Sequence, residues 1–587
     1  MSFLKRVLST IVGLIIFSIL SFIVFFMFIA FLGSQGEEPI IVENNSVLNL
    51  KLDFNIEDHI GKKEYENYTF LNEYPKHSLF GMIRAIEFAK TDPQIKGITI
   101  ENNFTFAGYA QLKALRDALI DFKDSGKFVV AYSDIFTQQS YYLSSAADTL
   151  YVNPSGTIEF KGLASEQYYF KDFQEKTGLK MEVVRHGKYK SAVEPFLENN
   201  MSEANREQIK SYLNSIWSTI KTDISKSRSI PPETLHTIAD SLLGRTPTLA
   251  LENKLVDKVG YYDEFTNGIK HQIGLKTEDK LPSIDIRDYS EYTYSKQKSS
   301  YKTDKIAVIF AEGEIIYGEG DENFVGQGII NNALIKARED DKIKAIVLRV
   351  NSPGGSALTS ELIWREIELT KKVKPVVVSM GNYAASGGYY IASNADYIVA
   401  EPMTVTGSIG VFGVLPNGTK LFEKWGISTH QVMTNSNAIT YSFSKPLSEN
   451  QRKFIKEGII DVYDLFLIRV AEGRGMTKDD INTIAQGRVW TGSEAIDIGL
   501  VDELGGLDTA LKKASELADI DDYATKEFPI FKKDFRESLS QLGLMKTKEE
   551  LLREELGEDG YKVWKEIKTQ TQREGVQLLF PYGTYIE

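Results

Sequence analysis

The chain repeats itself once, at an offset of 248 residues, over most of its 587-residue length. Residues 140–154 (SYYLSSAADTLYVNP) match residues 388–402 (GYYIASNADYIVAEP) at that offset, and IKGITIENN from Ile95 matches IKAIVLRVN from Ile343. Solenoid repeats have units of about 20–50 residues, so a period this long corresponds to a whole duplicated domain. The chain therefore contains two copies of one fold.

Each copy has the sequence pattern of an α/β domain. In the second copy, the β-branched runs IAVIF, AIVLRV, PVVVSM and YIVAE alternate with longer helical stretches, which predicts parallel strands joined by crossover helices. We place the two copies at residues 46–285 and 305–520. The polar, aperiodic stretch between them, 286–304, is predicted to be an exposed linker. The charged, partly helical tail 521–587 receives no role from the sequence.

The N-terminus is predicted to be a membrane anchor. Residues 7–33 carry no charged side chain, and as a helix they extend about 40 Å, enough to cross a hydrocarbon core of about 30 Å. A cleaved signal is the alternative, but its apolar region is usually about 7–15 residues long. We therefore expect residues 1–36 to form a cytoplasmic stub and a retained transmembrane helix. Lys5 and Arg6 precede the apolar run, which places the rest of the chain across the membrane.

Composition excludes several classes of function. A net charge of -13 argues against a nucleic-acid partner, which would require a basic surface. The chain has no cysteine, so disulfides, thiol nucleophiles and cysteine zinc sites are excluded. The sequence has no phosphate-binding loop and no zinc-ligand spacing. We expect neither a metal nor a cofactor.

The two copies differ where chemistry would be located. The second copy has Ser386, Gly387 and Gly388 after a predicted strand, whereas the first has Gln138, Gln139 and Ser140. The second copy also has NSPGGS at 351–356 in place of NFTFAG. A serine at a helix start, beside glycine N–H groups that approach a substrate closely, suits developing negative charge. A tight turn with a structural serine is the alternative interpretation of this motif taken alone.

A serine nucleophile needs a base, and none of the six histidines lies in a recognisable triad pattern. A lysine serves if burial lowers its pKa so that the neutral amine is present. Lys190 leads into the apolar stretch SAVEPF, with Lys188 as the rival, and the second copy has Ala438 at the equivalent position. Neither copy then has both groups, which predicts one site per chain at the interface between copies.

Four motifs together resemble the long, duplicated form of the signal peptide peptidase A family. They are YKSAVEPF (189–196), NSPGGS (351–356), MGNYAASGGYYIA (380–392) and TGSIGVFG (406–413). The resemblance extends from the anchor to about residue 515. It implies a tandem crotonase-like α/β fold related to the Clp protease core, assembled as a ring-shaped homotetramer. The roles it implies are Ser386 as nucleophile, Lys190 as general base, Ser408 as the hydroxyl that orients Lys190, and Gly354, Gly355 and Gly387 as the oxyanion region.

The function implied by this resemblance is a membrane-anchored serine endopeptidase with a Ser-Lys dyad. Its expected substrates are released signal peptides and other unfolded apolar segments in contact with membrane lipid. Its expected location is the bacterial inner membrane, with the catalytic region on the periplasmic side. Two alternatives stay open: a non-catalytic scaffold that binds membrane peptides, and a crotonase-like acyl-CoA enzyme. The sequence also leaves open whether Ser386 and Lys190 meet within one chain or between neighbours.

Overall fold

The computed structural model describes residues 2–34, 40–59, 62–64, 78–297 and 304–532, with short segments between 552 and 586. The helices of this described part are α1 (Ser2–Ser34), α2 (Leu79–Thr91), α3 (Tyr109–Lys123), α4 (Gln138–Ser144), α5 (Lys171–Thr177), α6 (Glu194–Leu197), α7 (Glu203–Arg228), α8 (Pro232–Asp240), α9 (Pro247–Glu252), α10 (Tyr262–Gln272), α11 (Ile286–Gln297), α12 (Gln327–Glu339), α13 (Ala357–Lys371), α14 (Gly387–Ala392), α15 (Thr419–Lys424), α16 (Glu449–Arg474), α17 (Lys478–Ile484), α18 (Gly492–Asp497) and α19 (Leu507–Leu517).

The strands alternate with these helices through both copies. They are β1 (Ser46–Leu50), β2 (Lys62–Glu64), β3 (Ile95–Glu101), β4 (Phe128–Phe136), β5 (Thr149–Ile158), β6 (Ser165–Glu166), β7 (Lys180–His186), β8 (Lys258–Val259), β9 (Ser283–Asp285), β10 (Lys305–Glu312), β11 (Glu314–Ile316), β12 (Phe324–Gly326), β13 (Ile343–Ser352), β14 (Gly354–Ser356), β15 (Val376–Ala385), β16 (Tyr397–Ala400), β17 (Val405–Gly407), β18 (Val411–Asn417), β19 (Val489–Thr491), β20 (Glu503–Leu504), β21 (Ala524–Phe528), β22 (Ile530–Lys532), β23 (Gln577–Leu579) and β24 (Tyr585–Ile586).

Each copy is built on its own largely parallel sheet, and the two sheets have equivalent strand orders. The first sheet runs β8-β5-β4-β3-β1-β9, and the second runs β19-β17-β15-β13-β10-β21 with β16 and β20 beside β15. The first is wholly parallel, and in the second only the β17–β19 pair is antiparallel. Apolar β-branched strands buried on both faces and covered by helices are typical of this architecture. The predicted tandem α/β duplication is confirmed.

A third sheet joins the two copies. In it, β7 of the first copy runs antiparallel to β18 of the second over seven registered pairs, from Val411 opposite His186 to Asn417 opposite Lys180. Buried pairs also cross the boundary, including the ion pair between Arg349 Nε and Asp58 Oδ2 at 2.7 Å. The chain that leaves β7 therefore enters a space bounded by second-copy elements, and this crossing brings Lys190 to them.

The segment predicted to be an exposed linker is different in the structure. Its first part is the helix α11, whose residues Ile286, Tyr289 and Thr293 are buried, and the Tyr289 hydroxyl donates to Asp92 Oδ2 at 2.8 Å. The spacing i, i+3, i+7 is a helical stripe, which a polar composition concealed. Residues 298–303 of the expected linker lie outside the described residues.

The tail also contributes to the fold. Strand β21, within the predicted extension 521–587, pairs in parallel with β10 and extends the second sheet. Most of the predicted helical stretch KTKEELLREEL lies outside the described residues. The final segments β23 and β24 return to the body of the molecule, where they pair with β14, β18 and β6.

The N-terminal helix α1 is long and apolar enough to cross a membrane. Its window Lys5–Val24 has a mean hydropathy of 2.7 and none of it is buried against the protein. An exposed apolar helix of this length is unfavourable in water and stable in lipid. It is consistent with the predicted anchor.

Candidate active site

Ser386 lies where β15 ends and the short helix α14 begins. Its backbone has φ 55 and ψ -116, a region that a side chain rarely adopts and that costs about 1–3 kcal/mol. The conformation is held by a hydrogen bond from the Ser386 N–H to the Gly407 carbonyl at 2.8 Å. The side chain is buried. This turn points the hydroxyl away from its own sheet and towards the chain that follows β7.

Lys190 reaches Ser386 from the first copy of the same chain. Its Nζ atom lies 2.8 Å from Ser386 Oγ, 3.0 Å from Ser408 Oγ and 3.0 Å from the Ser408 carbonyl oxygen. The side chain is 1% exposed. Lys188, the rival in the sequence, is exposed and its Nζ contacts the Tyr189 hydroxyl. The structure thus brings Lys190 and Ser386 together within one chain and leaves Lys188 at the surface.

The environment of Lys190 favours the neutral amine. Burial lowers the pKa of Lys190 well below its ordinary value of 10.5, and no carboxylate opposes the shift. The ring of Phe412 lies 5.9 Å from Nζ, and it supplies no counter-charge. Desolvation without an ion partner is the arrangement that makes lysine a base near neutral pH.

Ser408 fixes the position of the amine. It follows β17, has a positive φ of 51, and donates its N–H to the Arg488 carbonyl at 2.7 Å. Its hydroxyl and its carbonyl oxygen both lie within hydrogen-bond distance of Lys190 Nζ. The two contacts hold the amine beside Ser386 Oγ, so its lone pair is directed by geometry rather than by charge.

The three predicted oxyanion glycines lie together beside Ser386. Gly354 and Gly355 have φ of 99 and 153, and a Cβ on Gly355 would lie 2.0 Å from the Ile315 carbonyl oxygen. A Cβ on Gly387 would lie 3.1 Å from the Gly355 nitrogen. The Gly354 N–H donates to Ser352 Oγ at 3.2 Å. Glycine is therefore required sterically here, and the main chains of Gly355 and Gly387 come close together at the nucleophile.

Gln208 is a site residue that the sequence did not indicate. This buried amide on α7 donates from Nε2 to the Tyr189 carbonyl at 3.1 Å and to Ser191 Oγ at 2.7 Å, the residues on either side of Lys190. Its Oε1 accepts from the N–H of Val489 at 3.3 Å. Since Ser408 is bonded to the neighbouring Arg488, one side chain connects the lysine loop to the strand that holds Ser408. Glutamine has no motif of its own on a long amphipathic helix, so no pattern singles it out.

The equivalent position in the first copy is filled by structural contacts. Gln138 donates to the Gly162 carbonyl at 2.9 Å and accepts from the N–H groups of Lys161 and Gly162. Phe160, which replaces Ser408, packs against Tyr141 with ring centroids 5.6 Å apart. The first copy keeps the fold at this point and has a hydrogen-bonded core in place of a hydroxyl cluster.

The comparisons agree with this geometry. A model of peptidase family S49 matches residues 121–276 and again 368–521, one match in each copy. The matched residues make up more than half of the chain. The chain belongs to peptidase family S49. A model of the Clp protease family also matches residues 296–402, in agreement with the predicted relation to the Clp protease core.

The S49 assignment is supported by curated relatives. Protease 4 of Haemophilus influenzae is 38% identical over 465 residues, covering 78% of this chain and 75% of the relative. Protease 4 of Salmonella typhi is 40% identical over 453 residues, covering 76% and 72%. The chloroplastic serine protease SPPA of Arabidopsis thaliana is 34% identical over 437 residues, covering 74% and 64%. As a duplicated S49 member, the chain is a serine-type peptidase.

Proposed function

We propose that this S49 peptidase is a membrane-anchored endopeptidase in which Ser386 is the nucleophile and Lys190 the general base. The observation that carries the proposal is the 2.8 Å separation of Lys190 Nζ and Ser386 Oγ in a buried setting that contains no counter-ion for the lysine. A base must lie within hydrogen-bond reach of the proton it removes and have a pKa near the working pH. Both conditions are met by these two residues.

In the first half of the reaction, the neutral amine of Lys190 accepts the hydroxyl proton of Ser386 as Oγ bonds to the peptide carbonyl carbon. The carbonyl oxygen takes the displaced electron pair, and the main-chain N–H groups of Gly355 and Gly387 stabilise that charge. The ammonium of Lys190 then gives its proton to the leaving amine as the C–N bond breaks. An acyl-enzyme on Ser386 remains.

In the second half, Lys190 accepts a proton from water, whose oxygen attacks the ester carbon. Collapse of the intermediate breaks the bond to Oγ, which takes the proton back from Lys190 and regenerates the enzyme. Ser408 holds the amine in place throughout, since its two oxygens bracket Nζ. Each cycle consumes one water and needs no other reactant.

The substrates we propose are released signal peptides and other unfolded apolar segments. The resemblance to signal peptide peptidase A supports this class, and the apolar helix α1 supports an enzyme tethered to lipid. Lys5 and Arg6 before the helix support a cytoplasmic N-terminus and a periplasmic catalytic region in a bacterial inner membrane. We also propose a ring-shaped homotetramer, on the same resemblance.

The test is cleavage of a signal-peptide-like substrate by detergent-solubilised protein. We expect Ser386→Ala and Lys190→Ala each to lower kcat by at least about 10³-fold, since the pair acts as a unit. The matched control is Ser144→Ala in the first copy, because among the described residues Ser144 Oγ is buried without a hydrogen-bond partner. That variant should keep wild-type activity.

Two outcomes would contradict the proposal. Full activity in either dyad variant would remove the Ser-Lys mechanism. A folded wild type that binds apolar peptides without cleaving any of them would favour the scaffold, and turnover of an acyl-CoA would favour the crotonase-like alternative.

A further inference from the structure

The end of the chain lies against the glycine loop of the site. Strand β23 runs antiparallel to β14, with Gly354 opposite Leu579, Gly355 opposite Leu578 and Ser356 opposite Gln577. On its other side, β23 pairs with β18, where Gln577 lies opposite Phe412. The strand order is β12-β11-β14-β23-β18-β7. The tail therefore supplies an interior strand of the sheet that joins the two copies.

Both neighbours of β23 belong to the catalytic site. Strand β14 contains Gly354 and Gly355, and β18 begins three residues after Ser408. Without β23 the sheet has a gap one strand wide between these elements, bordered by the main chain of β14 and β18. An extended peptide recognises such a gap by main-chain hydrogen bonds, as in strand addition to a sheet edge.

The tail crosses from one copy to the other at this point. Strand β24 pairs antiparallel with β6 of the first copy, Tyr585 opposite Glu166 and Ile586 opposite Ser165. The chain is thus held on the second copy at 577–579 and on the first at 585–586. With the tail in this position, Ser386 is 0% exposed and Ser408 1% exposed, so the nucleophile is closed to solvent.

We infer that the gap between β14 and β18 is the peptide-binding slot of the enzyme and that the chain's own segment Gln577–Leu579 occupies it as an intramolecular competitor. The inference rests on the proposed function, because it takes Ser386 as the reacting group beside the slot. The sequence at the tail, QLLF from Gln577, has the apolar character of the proposed substrates. A peptide substrate enters by displacing β23 and pairing with the same main-chain groups.

The competition has a measurable size. A tethered segment acts at an effective concentration in the millimolar range for a flexible linker, so a weak three-residue strand still fills its own slot. If β23 occupies the slot about 90% of the time, the apparent Kd of an added peptide is raised about 10-fold. The tail then sets a threshold that short or weakly pairing peptides do not pass, whereas long apolar segments do.

The experiment uses Ser386→Ala protein in detergent, so that binding is measured without cleavage. Its probe is a fluorescein-labelled synthetic peptide with the sequence of residues 577–587, and Kd is read by fluorescence anisotropy. Removing residues 577–587 from the protein should lower Kd about 10-fold. In the full chain, Leu578→Pro removes an N–H from β23 and should lower Kd in the same direction. The matched control Leu578→Ala keeps that N–H and should change Kd less than the proline variant does.

Equal Kd values, within twofold, for the full chain, the truncated chain and Leu578→Pro would overturn the inference. So would tighter binding in Leu578→Ala than in Leu578→Pro. Because the measurement needs no catalysis, these results are distinct from failure of the proposed function, which appears as peptide cleavage by Ser386→Ala or as its absence in wild type. In catalytically intact protein, truncation should lower KM for an apolar peptide by a similar factor and leave kcat within about twofold.

Discussion

Replacing Lys190 by methionine should make the stability of the protein depend on pH in a way that measures the buried amine directly. The pKa of Lys190 is lowered in the folded protein by burial, and in the unfolded chain it returns to about 10.4. Between those two pKa values the unfolded chain binds one more proton than the folded chain. The stability contributed by the wild-type lysine therefore rises with pH across that window, and falls as pH is lowered.

The slope follows from one proton, at about 1.36 kcal/mol per pH unit. If the folded pKa lies below 7, as the mechanism requires, wild type should gain about 2.7 kcal/mol relative to Lys190→Met between pH 7 and pH 9. Other titrating groups cancel in this difference, because burial is the sole cause of the Lys190 shift and no charged neighbour is coupled to it. The hydrogen bonds to Ser386 and Ser408 contribute a term that does not depend on pH in this range.

The assay is urea unfolding of detergent-solubilised wild type and variant, followed by tryptophan fluorescence at fixed protein concentration from pH 6 to pH 9. Lys188→Met is the matched control, since Lys188 is exposed two residues away and should leave the wild-type pH dependence unchanged. A constant difference between wild type and Lys190→Met would show that Lys190 is charged in the folded protein and would refute the neutral-amine mechanism. The pH at which the stability difference levels off should also be the pH below which kcat/KM falls tenfold per unit.

Three further changes test how the site is held together. Gln208→Leu should lower kcat by about 10–100-fold with KM within about twofold, because a displacement of the lysine of about 1 Å misaligns the base, whereas Gln208→Glu keeps an acceptor for the Val489 N–H and should recover part of kcat. Gly355→Ala places a Cβ 2.0 Å from the Ile315 carbonyl oxygen and should lower kcat by at least about 10²-fold, with assembly checked by size-exclusion chromatography. Asp58→Asn leaves the buried Arg349 without its carboxylate and should cost about 3–5 kcal/mol of unfolding free energy in urea, while unchanged stability would contradict a structural role for the pair.

The duplicated fold was predictable because the repeat keeps its hydrophobic pattern at a fixed offset. Helix α3 (Tyr109–Lys123) and helix α13 (Ala357–Lys371) occupy equivalent residues of the two copies. The linker was not predictable in the same way: in α11, tyrosine and threonine take positions that aliphatic residues usually occupy, and Tyr289 is buried through its hydrogen bond to Asp92. Composition reported polarity, whereas the packing depended on spacing.

The site was predictable to the level of residue type and no further. Lys190 and Lys188 have the same local sequence signals, and what separates them is that the chain after β7 turns inward at 190 and outward at 188. That direction depends on the antiparallel pairing of β7 with β18, a contact between residues more than 200 positions apart in sequence. The same long-range contact decides that the two residues meet within one chain. Gln208 depends on it as well, since its partners belong to both copies.

Comparison of the two copies indicates that stability was reduced at the site in favour of reactivity. In the first copy, α4 begins at a Thr137 N-cap of ordinary φ, -66, whose side chain accepts from the Ser140 N–H. In the second, α14 begins at Ser386, with φ 55 and no side-chain cap. A lost cap costs about 1 kcal/mol and the positive φ about 1–3 kcal/mol. Ser408, also at positive φ, stands where the first copy packs Phe160 against its core. Duplication supplied two equivalent loops, and strain is concentrated in the one whose serines contact Lys190. A copy that served only as structure would have kept the capped helix and the aromatic core.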